Sequence, residues 1–126
     1  MQPSAEERPQ PYRVQLRMEI LPGREREFEE VWRATTDVVA GHEANLGQAL
    51  LRADDDPGVY YIVSDWRDEA GFRDFEHSDA HIEHRSKLHP YRSAGSFVTM
   101  ILLQATERLS AAGPFPAPTR SGRPPL

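Results

Sequence analysis

"GQALLRADDDPGVYYIVSDW", residues 47–66, holds two short apolar runs around an acidic turn. The second run, 59–66, is dense in β-branched and aromatic residues, which suit a pleated, half-buried surface. "DDDPG" (54–58) combines aspartates, proline and glycine, the residues that favour tight turns. The runs 47–53 and 59–66 are therefore expected to pair as a hairpin. The aspartates lack the spacing of a calcium loop and are accounted for by the turn.

What flanks the hairpin sets the topology. Upstream, "YRVQLRMEIL" (12–21) alternates, with Tyr12, Val14, Leu16, Met18 and Ile20 on one face. Arg13, Gln15, Arg17 and Glu19 fall on the other, so this is a strand with one apolar face. "PG" at 22–23 ends it. Residues 24–41 carry Phe28, Val31, Trp32, Thr35, Val38 and Val39 at helical spacing, which predicts one helix stopping at Gly41. Downstream, 67–93 is helical in composition with Asp68 as a start cap, and "SFVTMILLQ" (96–104) is a nearly continuous apolar strand.

The order β-α-β-β-α-β predicts a ferredoxin-like α+β fold: a four-stranded antiparallel sheet with two helices on one face. The last strand is apolar on both faces, Phe97, Ile101 and Leu103 against Val98, Met100 and Leu102. Helices can cover only one of them. A homodimer formed sheet to sheet, the two chains closing an α/β barrel, is the expected cover for the other. The folded unit is expected over 12–105. Residues 1–11, with Pro3, Pro9 and Pro11, and the proline- and glycine-rich 106–126 are expected to be disordered, being too polar or too broken to offset their ordering entropy.

Composition narrows the function. The chain has 126 residues, a net charge of −5 and no cysteine, so thiolate catalysis and iron–sulfur clusters are excluded. No basic run suggests nucleic acid, and no apolar stretch approaches the roughly 20 residues that span a bilayer. The polar opening "MQPSAEERPQP" is unlike a signal peptide, so a cytoplasmic location is expected. Dinucleotide, P-loop, serine-hydrolase and HExxH zinc motifs are all missing.

Chemistry is concentrated in "FEHSDAHIEHRSKLHP" (75–90), which holds four of the five histidines. On one unbroken helix His77, His81 and His84 would share a face and could ligate zinc. Ser78, a good N-cap, followed by Asp79, instead marks a helix boundary that detaches His77. Arg85 is a poor neighbour for a metal, so none is expected. A solvated histidine-rich helix face and an organic pocket wall both remain open. In the pocket reading His81 is the leading residue, because the first turn after a break can look down onto the sheet. A neutral imidazole there can take a proton from a phenol or a carbon acid near pH 7. His89, before Pro90, reads as the helix end. Trp66, Tyr60, Tyr61 and Tyr91 are each either core or pocket wall.

The block "YYIVSDWRDEAGFRDFEHSDAH" resembles the antibiotic biosynthesis monooxygenase (ABM) family: a strand ending in tryptophan, an acidic helix with aromatics, a serine at a break and a histidine three residues on. Here these are Trp66, Asp68–Phe75, Ser78 and His81, and "RMEILPGREREFEEVW" fits the first strand and helix. The resemblance spans 12–105 and implies a dimeric α/β barrel that oxygenates aromatic polyketides without a required cofactor, using O2. Some relatives employ reduced flavin as a co-substrate. His81, His84 and Arg85 are then the expected catalytic residues, and Trp66, Phe72, Phe75, Tyr60, Tyr91 and Met18 the expected substrate-binding ones.

Two departures bear on mechanism. The quinone-forming members place an asparagine where this chain has Ile62 and a tyrosine where it has Phe72. Leu16, Phe75 and Arg85 stand where the haem-degrading branch needs asparagine, tryptophan and histidine, which argues against haem. The resemblance leaves two further enzymatic readings, a non-oxidative polyketide cyclase or aromatase and a flavin-dependent ring-cleaving oxygenase of angucycline type, besides a protein that only binds an intermediate. Product mass separates the first from oxygenation, since cyclisation loses water and oxygenation adds oxygen.

Overall fold

The computed structural model describes residues 10–106. Strands β1 (Tyr12–Ile20), β2 (Asn45–Arg52), β3 (Val59–Trp66) and β4 (Arg92–Ile101) form one antiparallel sheet in the order β2-β3-β1-β4. Between them lie α1 (Glu25–Ala34), α2 (Thr36–Ala40), α3 (Glu69–Glu76) and α4 (Asp79–Leu88). This is the ferredoxin-like arrangement. Apart from residues 10, 11 and 106, the expected lead and tail lie outside the described residues.

The first helix differs from expectation by breaking at Thr35. Its hydroxyl donates back to the carbonyls of Val31 (2.8 Å) and Trp32 (3.3 Å), an alternative to the helical ladder. Thr35 leaves the helical region at φ −119°, and α2 starts after it. The expected break at Ser78 is present. Its hydroxyl accepts from the His81 N–H (3.1 Å) and donates to the Phe75 carbonyl (2.6 Å), closing α3 and starting α4 together. Asp68 caps α3 by accepting from the Gly71 N–H at 2.8 Å. Gly71 has no room for a side chain, since a Cβ there would stand 2.4 Å from that of Ala44.

The core lies between helices and sheet in two clusters. One gathers Tyr12, Val14, Val39, Trp66, Phe72 and Phe75; the other gathers Met18, Ile20, Phe28, Tyr60 and Leu88. The last strand corrects the expectation for 96–104. It starts earlier, at Arg92, and runs along the free edge beside β1. The helices do not cover its near face, and Phe97 and Ile101 stay 50% and 56% exposed.

Candidate functional site

A cavity of about 360 Å³ opens between the helices and the sheet, on the side where β4 forms the edge. Its size is near the lower end of small-molecule sites, roughly 300–1,000 Å³. The floor is Val14, Leu16 and Met18 of β1 with Ile62, Ser64 and Trp66 of β3. Strand alternation delivers these six to one face, since register pairs Val14 with Ser64 and Leu16 with Ile62. Phe72, Phe75 and Glu76 close one end, and His81, His84, Arg85, Leu88 and His89 descend from α4.

The aromatic wall is a continuous stack. Trp66 is 1% exposed and lies 5.6 Å from Phe72 and 5.0 Å from Phe75, ring centre to ring centre. The Phe75 ring meets His81 edge-on at 4.9 Å. Trp66 Nε1 donates to Ser64 Oγ at 2.9 Å, which leaves the Ser64 hydroxyl proton without a protein acceptor among the described residues. His42 supports the wall from behind, edge-on to Trp66 and Phe75, with Asp74 at 2.9 Å from its Nε2.

His81 is oriented by three contacts: the Ser78 cap, the Phe75 ring, and Nδ1 at 3.0 Å from the Glu76 carbonyl. A carbonyl only accepts, so Nδ1 carries the proton and Nε2 of the neutral ring is a bare lone pair. Burial lowers the His81 pKa from its ordinary value, opposed by the Glu76 carbonyl and reinforced by nearby Arg85. Burial and Arg85 both favour the neutral ring of His81.

His84 is buried deeper, 9% exposed, and its pKa is lowered by burial, then by His81 and Lys87. Its Nδ1 is the one buried side-chain polar atom without a hydrogen bond among the described residues. Such a group is costly to bury unmatched and calls for a reason.

The structure thus brings together seven of the residues expected from sequence: His81, His84, Arg85, Trp66, Phe72, Phe75 and Met18. Tyr60 and Tyr91 are corrections, because neither lines the cavity. Tyr60 is 1% exposed, edge-on to Phe28, with its hydroxyl donating to Glu29. Burial, then the Glu29 bond, pushes its pKa up to about 12. Tyr91 lies under the Arg24 guanidinium, 4.9 Å from its ring centre. Both point at α1 because the second core cluster claims them. His77 is also outside, its Nδ1 against the Arg73 carbonyl.

Sequence reasoning missed Trp32, Gln48, Ser64, Glu76, His89 and Arg92, all of which line the cavity. Alternation along β3 placed Ser64 beside Trp66 and could have found it. Nothing local pointed to His89 or Arg92. Among the described residues, no three His, Asp or Glu side chains are grouped to hold a metal.

The geometry joins a tryptophan-ended strand, a helix break at Ser78 and the His81 imidazole over one cavity. The sequence profile of antibiotic biosynthesis monooxygenases matches residues 11–87. The chain belongs to that family. SnoaB of Streptomyces nogalater, a cofactor-independent oxygenase, shares the ABM fold with it at a TM-score of 0.68 and 21% identity, over 76% of this chain and 96% of SnoaB. An ABM-type protein of Nitrosomonas europaea superposes at 0.70 with 13% identity, over 79% of this chain and 96% of its own. Protein SchA of Streptomyces halstedii is 26% identical over 102 residues, 80% of this chain. The ABM chain spans only 27% of SchA's length. No helix among the described residues is long and apolar enough to cross a membrane.

Proposed function

We propose that this protein is a monooxygenase that oxidises a polycyclic aromatic polyketide of anthrone or phenol type with O2 and without a required cofactor. The observation that carries the reading is His81: a neutral imidazole, its tautomer set by the Glu76 carbonyl, on an aromatic-walled cavity. Its Nε2 takes the proton from the activated carbon or phenol. The resulting anion gives one electron to O2, and the radical pair recombines to a peroxide anion, which His81 reprotonates. For an anthrone methylene, loss of water from that hydroperoxide leaves a carbonyl, so one O2 yields one ketone oxygen and one water. Arg85 and the Ser64 hydroxyl stabilise the oxyanion, the part played by preorganised donors. Trp66, Phe72 and Phe75 hold the flat rings. The cavity volume is within the range of small-molecule sites. SnoaB's description as cofactor-independent supports the same view.

The working unit in this reading is a cytoplasmic homodimer. Leu51, Val98 and Met100 fall on the sheet face away from the helices and are 48%, 53% and 39% exposed, an apolar patch that a second copy would cover. Sedimentation of wild type against Val98→Asp checks it, the variant being expected to sediment as a monomer.

An oxygen electrode tests the chemistry. With an anthrone, one O2 should be consumed per molecule oxidised, and His81→Ala should lower kcat by about 10²–10⁴-fold, the span of general-base effects. No uptake above background, with or without reduced flavin, would count against an oxygenase. A product lighter by one water would point to a cyclase.

A further inference from the structure

The rim of the cavity holds an unusual guanidinium. Most described arginines meet a carboxylate: Arg13 faces Asp65, Arg17 Glu19, Arg52 Glu29, and Arg73 both Glu69 and Glu76. Arg85 and Arg92 meet none among the described residues, and both line the cavity. Arg26, which also lacks one, is exposed on α1, away from it. In a chain of net charge −5, cations left unpaired at a cavity mouth mark where a ligand's negative charge belongs.

Arg92 is aimed there by a backbone irregularity. Ile20 pairs with Arg92 and Glu19 with Ala94, so Ser93 is an extra residue on β4. Without it, Arg92 and Gly95, three apart, would face opposite sides of the sheet. The bulge puts both on the cavity side, and such bulges characteristically re-aim a side chain beside a site. The guanidinium then crosses Gly95, where a Cβ would stand 2.1 Å from Nη1. Nη2 donates to His89 Nε2 at 2.9 Å. An accepting imidazole nitrogen is unprotonated, so His89 orients the guanidinium without neutralising it. The other guanidinium N–H groups have no acceptor among the described residues.

We propose that Arg92, held by His89 across Gly95, anchors a carboxylate borne by the aromatic substrate, and so sets which ring edge faces His81. The inference rests on the aromatic-ligand reading of the cavity, but not on oxygenase turnover. A guanidinium fork matches a carboxylate bidentately, whereas an uncharged ring substituent would leave it unmatched.

The test is a binding measurement. Both tryptophans of the chain, Trp32 and Trp66, line the cavity, so intrinsic fluorescence reports occupancy. The probes are an anthraquinone carboxylate and its uncharged carboxamide. Wild type should bind the carboxylate about tenfold to a hundredfold more tightly, the range of charge-assisted hydrogen bonds. Arg92→Gln should abolish that preference while leaving carboxamide binding unchanged, and Arg92→Lys should restore part of it. Gly95→Ala, which displaces the guanidinium but keeps its charge, should weaken the preference. Arg85→Gln should preserve it. Equal binding of the two probes by wild type, loss of both on Arg92→Gln, a preference that follows Arg85, or binding of neither probe each overturns the proposal. Carboxylate preference without oxygen uptake overturns the oxygenase reading alone.

Discussion

Strands β3 and β4 both flank β1 and are both rich in apolar residues, yet they meet opposite fates. Nearly all of β3 is buried or half-buried, with Trp66 and Tyr60 almost wholly enclosed, whereas β4 is exposed along almost its whole length. The difference comes from place in the sheet. β3 lies between β2 and β1 beneath the helices, while β4 has a neighbour on one side only among the described residues. The inner strand supplies a rigid aromatic wall. The outer strand leaves the cavity open at its edge and carries, on its first turn of pleat, the arginine at the mouth.

The comparison can be broken most directly at Trp66. Trp66→Ala should cost about 3–5 kcal/mol in a urea melt, as for large-to-small changes at fully packed aromatics. A cost below about 1 kcal/mol would mean that the β3 wall is not the rigid half of the site. His84→Leu should do the reverse. Removing a buried nitrogen that has no hydrogen bond among the described residues should raise stability by about 1 kcal/mol. A less stable variant would contradict the placement of His84.

Ser78→Ala should cost about 1 kcal/mol through the lost cap, and should also slow turnover because the same residue positions His81. Val98→Ser on the exposed face of β4 should change monomer stability by no more than about 0.5 kcal/mol. A larger, concentration-dependent loss would show instead that this face is covered by a partner.

The pH dependence belongs to the α4 side of the cavity. His81 and His84 both have pKa values lowered by burial, so the unfolded chain binds more protons than the folded one below about pH 6.5. Their contribution to stability is complete above that value and is lost as pH falls through the lowered folded pKa values. Turnover should likewise stay level near neutrality and fall only at pH below the ordinary histidine range. In His81→Gln that acid limb should vanish from kcat/KM.

Local pattern carried much of this. The period-2 alternation of 12–21 named the floor residues Val14, Leu16 and Met18. Ser78 was legible as a helix boundary because capping is a contact over three residues, and so His81 could be singled out. Thr35 was not legible as a break, because a back-bonding hydroxyl and a helical core threonine look alike in sequence. By residue type Tyr60 and Tyr91 could be core or pocket wall, the resemblance put them in the cavity, and only the packing of α1 decides that they serve the core.

The sequence by itself determined the order of elements, the apolar face of each strand, the break at Ser78 and the family. Those properties depend on contacts within a few residues or on a matched pattern. The tertiary structure alone decided that, among the described residues, β4 is an edge and His84 Nδ1 is buried without a hydrogen bond, and that a bulge at Ser93 turns Arg92 toward the cavity. Each of these depends on which strand lies beside which and in what register, and residues 92 and 20 meet only when the sheet has formed.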